Sequence, residues 1–298
     1  MLPAQIEKGR IMKSIWRFFL IAAVAMGAVV APMAAGAQDA GELRLQLLAQ
    51  QEQRAYRIAK AACLVMSGSQ SDFQATSATQ TAQAFDAGMQ VLTQGDPAVT
   101  MAPESDLMRR QELEDISRLS KGMTRSSLQI AAGDFHTVPV SLLLIRNQIV
   151  ADRIHLAMAH ALPVYAPPEQ PIEWRNAIQQ LQGQHALIEE LLRDLCYARL
   201  SLGPADMAEQ MRARMIRFEQ VNAALIAGDA KLAVAKAPNI SIKIALGQVD
   251  SKWISLRALL DAAANGAEQD VRDVQLASVL GETLTRRLDK LIGMYHKL

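Results

Sequence analysis

Lys60-Ala61-Ala62-Cys63-Leu64 and Arg193-Asp194-Leu195-Cys196-Tyr197 hold the only two cysteines of this 298-residue chain, and the sequence repeats around them. Phe85 follows Cys63 at the distance at which Phe218 follows Cys196. Gly95-Asp96 and Gly228-Asp229 come next at a common spacing. Ala102-Pro103 and Ala237-Pro238 follow, and Gly133 and Gly266 stand where a helix terminator is expected in each copy. Chance does not explain matching cysteines within matching flanks. The chain therefore reads as a tandem duplication.

Leu162-Pro163-Val164-Tyr165-Ala166-Pro167-Pro168-Glu169-Gln170-Pro171 separates the copies. Proline cannot donate to a helix ladder and biases its predecessor away from helix, so residues 163–171 are expected to be a linker. The copies then span 38–162 and 172–298. Each reads as four helices. Ala78, Ala82, Phe85, Met89 and Leu92 recur at alternating steps of four and three, as do Met211, Met215, Phe218, Asn222 and Leu225. That is one face of a packed helix. Helices are expected at about 41–66, 105–131 and 139–162, and at 174–200, 239–264 and 268–295, with a second helix in each copy ending at Gly95 and Gly228. Asn239 suits an N-cap. Apart from an ambiguous apolar run at 240–244, no alternation suggests a strand. The expected fold is all-α, two tandem up-down four-helix bundles, with one fused eight-helix body as the alternative.

Composition limits the function. Half the residues are hydrophobic, 4% aromatic and 20% charged, with a formal charge of +1. A chain this apolar is not disordered. A charge near zero does not suit a nucleic-acid partner. Two cysteines are too few for a disulfide scaffold or a four-ligand zinc module. Residues 1–37 read as a signal peptide: Lys8, Arg10, Lys13 and Arg17, then an apolar run from Phe18, then Ala35-Gly36-Ala37 as a cleavage site. Met12 is an alternative start, and an uncleaved inner-membrane anchor is the competing reading. The segment carries a net +3, leaving −2 for the rest. The mature protein is expected in the periplasm, where disulfides persist.

The chemical inventory is small. No P-loop, G-x-S-x-G, G-x-G-x-x-G, H-E-x-x-H or haem-attachment motif occurs, so no catalysis, cofactor or metal site is expected. Asp152 and His155 are three apart and within reach on one helix. His136, His185 and His296 lack an evident partner. Cys63 and Cys196 are either a disulfide or paired core residues. Arg44, Arg54, Arg57 and Lys60 crowd the first helix. Arg57 and Lys60 share one side, and with Arg44 they are the candidates for binding a small anion.

The segment from Gln53 to Leu64, with Arg57-Ile58-Ala59-Lys60, resembles the first helix of the PilJ/NarX-like sensor domain of type IV pilus chemotaxis transducers and nitrate/nitrite sensor kinases. Phe218, Gly228-Asp229, Ala237-Pro238 and Trp253 resemble that family's later half. The resemblance implies helical bundles, homodimers and an anion bound by a first-helix arginine. With Tyr56-Arg57 aligned, that position holds Glu52; a second register would make Arg44 the ligand. In the second copy Glu190 stands for Arg57 and Arg193 for Lys60. The resemblance implies a sensor-type protein in signal transduction. Its partner would be a small ligand, a membrane receptor or an envelope protein, since no transmitter follows before Leu298. The alternative is a structural or assembly protein of the cell envelope.

Overall fold

A computed structural model describes residues 40–167 and 169–298. The segment read as a signal peptide lies outside the described residues. Eight helices account for the fold: α1 (Ala40–Met66), α2 (Ser71–Gln94), α3 (Leu107–Ala131), α4 (Thr137–Tyr165), α5 (Ile172–Arg199), α6 (Met207–Ala227), α7 (Ile240–Ala264) and α8 (Val271–Tyr295). A short 3-10 turn, Pro97–Val99, lies between α2 and α3. Among the described residues there is no strand, and the run at 240–244 opens α7.

Local chemistry sets the helix ends. Asn239 caps α7 by accepting from the Ile242 amide at 2.9 Å, as its position predicts. Asp106 does the same for α3. Asp270 and Asp273 form a capping box that starts α8 at Val271, later than the apolar pattern alone suggests. The linker is shorter than expected. Pro163 sits inside α4, which continues to Tyr165, so residues 166–171 join the copies. A proline in the last turn forfeits a single ladder bond. The Tyr165 hydroxyl, donating to Glu104 at 2.5 Å, pins the end beyond it.

The Gly-Asp pairs have one role in both copies. Gly95 and Gly228 take φ of 77° and 85°, and a Cβ on either would strike backbone, at 2.4 Å from the Met101 oxygen and 2.9 Å from the Lys236 nitrogen. Asp96 and Asp229 then cap the following turn through their carboxylates. Each also forms an isolated bridge, to Met101 and to Val234. The repeat is thus carried down to single hydrogen bonds.

Packing follows the repeat. α1 packs on α2 and α4, and α3 on α2 and α4; α5 packs on α6 and α8, and α7 on α6 and α8. These are two rings of four helices. A third contact, α1 on α5, joins them. The described residues form one unit with a continuous apolar core drawn from all eight helices. On that seam Cys63 and Cys196 are joined as a disulfide, both fully buried, with Cα atoms 6.1 Å apart.

The bond closes a loop of 133 residues, so it restricts the unfolded chain more than the folded one. Replacing both cysteines with alanine should cost about 2–4 kcal/mol, read as a lower urea midpoint with an unchanged helical circular-dichroism spectrum. An unaltered midpoint would contradict the assignment.

Candidate functional site

The α1–α5 seam concentrates the buried charge of the molecule. Glu189, on α5, is fully buried. Arg57 donates to its Oε1 from Nε at 2.9 Å and from Nη2 at 2.6 Å, and Lys60 Nζ lies 2.6 Å from Oε2. Both cations are on α1, so this triad is a contact between the two copies. Burial alone would raise the Glu189 pKa. Lys60 and Arg57 outweigh it and hold the group at about 2.

The repeat relates each residue of α1 to one of α5, and the seam obeys that relation. Cys63 pairs with its own counterpart. Lys60 against Glu189 corresponds to Arg193 against Tyr56, and the Arg193 guanidinium does stand over the Tyr56 ring, 4.9 Å from its centroid. Glu52 corresponds to His185. In the last helices, where burial shifts the register by one residue, His155 corresponds to Asp289. The structure pairs both sets, His155 Nδ1 with Glu52 at 3.1 Å and His185 Nδ1 with Asp289 at 3.1 Å. Acid and base have changed places. The contacts that cross the seam, Cys63 with Cys196, Lys60 with Glu189 and Arg193 with Tyr56, are those by which the halves of a two-fold dimer meet.

The sequence expected Arg57, Lys60 and Arg44 to bind an anion. The structure brings Arg57 and Lys60 together with the cysteines, but the anion they hold is the chain's own Glu189. Arg44 is elsewhere. It donates to the Leu92 carbonyl at 2.8 Å and to the Ala102 carbonyl, lies 3.7 Å from Glu104, and stands over the Tyr165 ring. There it ties the start of α1 to the end of α2 and the loop after it. His155 meets Glu52 rather than Asp152, which accepts from Gln148 at 2.9 Å.

Beside the seam lies a cleft of about 250 Å³, lined by α1, α4, α5 and α6. Gln180, Gly183, Gln184, Leu187 and Glu190 of α5 form one of its sides. Glu52 and Tyr56 come from α1, Gln148, Asp152 and His155 from α4, and Arg214, Arg217 and Val221 from α6. A buried network closes one end. Arg193 donates to Asp194 at 2.9 Å, to Asn147 at 2.7 Å and to Gln148 at 3.0 Å; Arg214 reaches Glu190 at 2.8 Å and Asp194 at 2.9 Å. Burial raises the Glu190 pKa despite Arg193 and Arg214, and the hydrogen bond that His155 donates to Glu52 raises that of His155.

The cleft breaks the repeat. At the related place in the first copy, Arg54 donates to the Ala84 carbonyl at 3.2 Å and Gln51 occupies the space over Gly88, where a Cβ would lie 1.7 Å from Gln51 Nε2. In the second copy Leu187 and Val221 take the positions of Arg54 and Gly88, and space remains. Gln184, the counterpart of Gln51, donates to the Phe218 carbonyl at 2.8 Å and leaves its buried Oε1 without a partner.

Sequence reasoning missed this cleft because it is assembled across the two copies. A legible signal was present in the unequal residues at matched positions, Leu187 for Arg54 and Gly183 for Gln50. No family model matches the chain, and no curated protein matches it. Among the described residues no helix is long and apolar enough to cross a membrane, and no group of three or more His, Cys, Asp or Glu could hold a metal ion.

The seam triad predicts a pH dependence. The folded Glu189 pKa lies below the ordinary 4.5, so its contribution is complete above that value and is lost as pH falls toward 2. The shift corresponds to ~3 kcal/mol. Glu189→Gln should cost ~3–5 kcal/mol at pH 7, because it leaves Arg57 and Lys60 uncompensated. It should also remove this part of the acid sensitivity, measured by urea unfolding at pH 7 and pH 3. Equal acid losses in wild type and variant would contradict the assignment. His155 acts with the opposite sign: its folded pKa is raised, so its contribution is present below 6.5 and fades as pH rises through the folded value.

Proposed function

We propose that the protein is a non-catalytic, exported binding protein of sensor type, with its ligand in the cleft beside the α1–α5 seam. The observation that carries this reading is the broken repeat. Where Arg54 and Gln51 of the first copy close over Gly88 and Ala84, the second copy has Leu187 and Val221 beside a cleft of about 250 Å³ lined by polar side chains of both copies. A buried amide oxygen without a partner costs free energy, and Gln184, whose Oε1 has none, is one of the lining residues. A ligand there touches both bundles, so its binding energy would bear on how they pack. A membrane receptor or another envelope protein would read that change, as the resemblance to PilJ/NarX-like sensor domains suggests. The anion expected at Arg57 and Lys60 has no place in this proposal.

The second reading, an assembly protein of the envelope, draws on a different surface. Val138, Leu142, Ile145, Ile149 and Leu156 of α4 are exposed, and their steps of four, three, four and seven place them on one stripe. Such a stripe suits contact with another helix.

The cleft reading predicts stabilisation by a small molecule. A ligand at a hundred times its dissociation constant should add about 2.7 kcal/mol, seen as a rise in melting temperature. A Cβ on Gly183 would meet nothing within 4 Å. Gly183→Leu should therefore fold, fill the cleft and abolish the rise. A rise that survives in Gly183→Leu would place the ligand elsewhere. Stabilisation by no compound in a broad metabolite screen would favour the assembly reading.

A further inference from the structure

The charges of the cleft identify the class of its ligand, an inference that rests on the binding reading above. Most of the lining charges are already committed to one another. Glu190 Oε1 faces Arg214 at 2.8 Å, and Glu52 faces His155 at 3.1 Å. Two charged groups are left over. Asp152, on α4, receives only the neutral amide of Gln148. Arg217, on α6, makes no hydrogen bond or ion pair among the described residues, although its charge is felt at His155. Both line the cleft, yet they form no ion pair with each other. They are contributed by different bundles, on helices flanking the seam.

A simple anion placed at Arg217 would meet Asp152, Glu52 and Glu190. A simple cation placed at Asp152 would meet Arg214 and Arg217. Either would pay for a like charge in a partly desolvated space. A molecule carrying both signs meets neither cost. The atoms without partners agree with this. Gln184 Oε1 is a buried acceptor with no donor, and Glu190 Oε2 has no partner among the described residues. Glu190 Oε2 suits an ammonium, which has three N–H donors. The Tyr56 hydroxyl accepts from Gln148 at 3.4 Å and keeps its own proton to donate. Arg217 offers a planar fork for a carboxylate. We propose that the cleft binds a small zwitterion such as a free α-amino acid. Its ammonium lies between Asp152 and Glu190 Oε2, and its carboxylate lies at Arg217 and Tyr56. The cleft volume, about 250 Å³, admits such a molecule.

Titration calorimetry on the purified full chain tests this. The probes are the twenty free amino acids, together with propylamine and propionate as molecules bearing one charge only. At least one amino acid should bind. Asp152→Asn and Arg217→Gln, both at exposed positions, should each weaken it tenfold or more, and the single-charge probes should bind at least tenfold more weakly than the amino acid. Gly183→Leu should abolish binding. A single-charge probe that binds as tightly as any amino acid, or an affinity indifferent to both substitutions, would overturn the zwitterion. If that probe's binding is also lost in Gly183→Leu, the cleft remains the site and only the ligand class fails. Binding that survives in Gly183→Leu would overturn both readings.

Discussion

The structure depends on one buried carboxylate. Glu189 lies in the interior between the two copies, and the two cations that neutralise it come from the other copy. A lone charge there would be untenable, and the Coulomb attraction repays its desolvation only when partners are close and well aligned. The triad therefore fixes how α5 can sit on α1. Hydrophobic packing alone tolerates sliding between two apolar helices; a carboxylate that must meet both Arg57 and Lys60 does not. The disulfide one turn further along α1 holds the same register covalently.

Seen from that seam, the molecule is a dimer written into one chain. The cysteines stand where a two-fold axis would place them, opposite their own counterparts, and the neighbouring contacts follow in related pairs. Fusion releases such a pair from identity. Lys60 with Glu189 and Arg193 with Tyr56 are the same contact made with different chemistry, a carboxylate in one case and an aromatic face in the other. The exchange of acid and base between Glu52–His155 and His185–Asp289 has the same origin. A true homodimer would carry two equal grooves beside the seam. Here the two sides differ: Arg54 and Gln51 close over Gly88 on one, and Leu187 and Val221 stand at those positions on the other.

Much of the fold was legible in the sequence because the signals were local or periodic. The glycines that end helices, the Asn239 cap and the spacings of Phe85 and Phe218 placed the helices to within a few residues. The shared register of Cys63 and Cys196 pointed to the two cysteines as matched positions, and the structure joins them. Pro163 misled because a proline in a last turn is tolerated. The site was less legible because it is made of contacts between helices far apart in the chain. Arg57 and Lys60 were correctly read as sharing a side, but nothing local revealed that Glu189 would be their counterion. His185 and His296 lacked partners in sequence and find them in Asp289 and Glu42, each on another helix. Charge pairs of this kind are set by tertiary packing, which helical periodicity does not specify.

The central claim is that the seam makes one folding unit of two bundles, and calorimetry tests it most directly. Heated at neutral pH, the protein should unfold in one transition whose calorimetric and van't Hoff enthalpies agree. Two resolved transitions, or a calorimetric enthalpy near twice the van't Hoff value, would show that the bundles melt independently and would contradict the account.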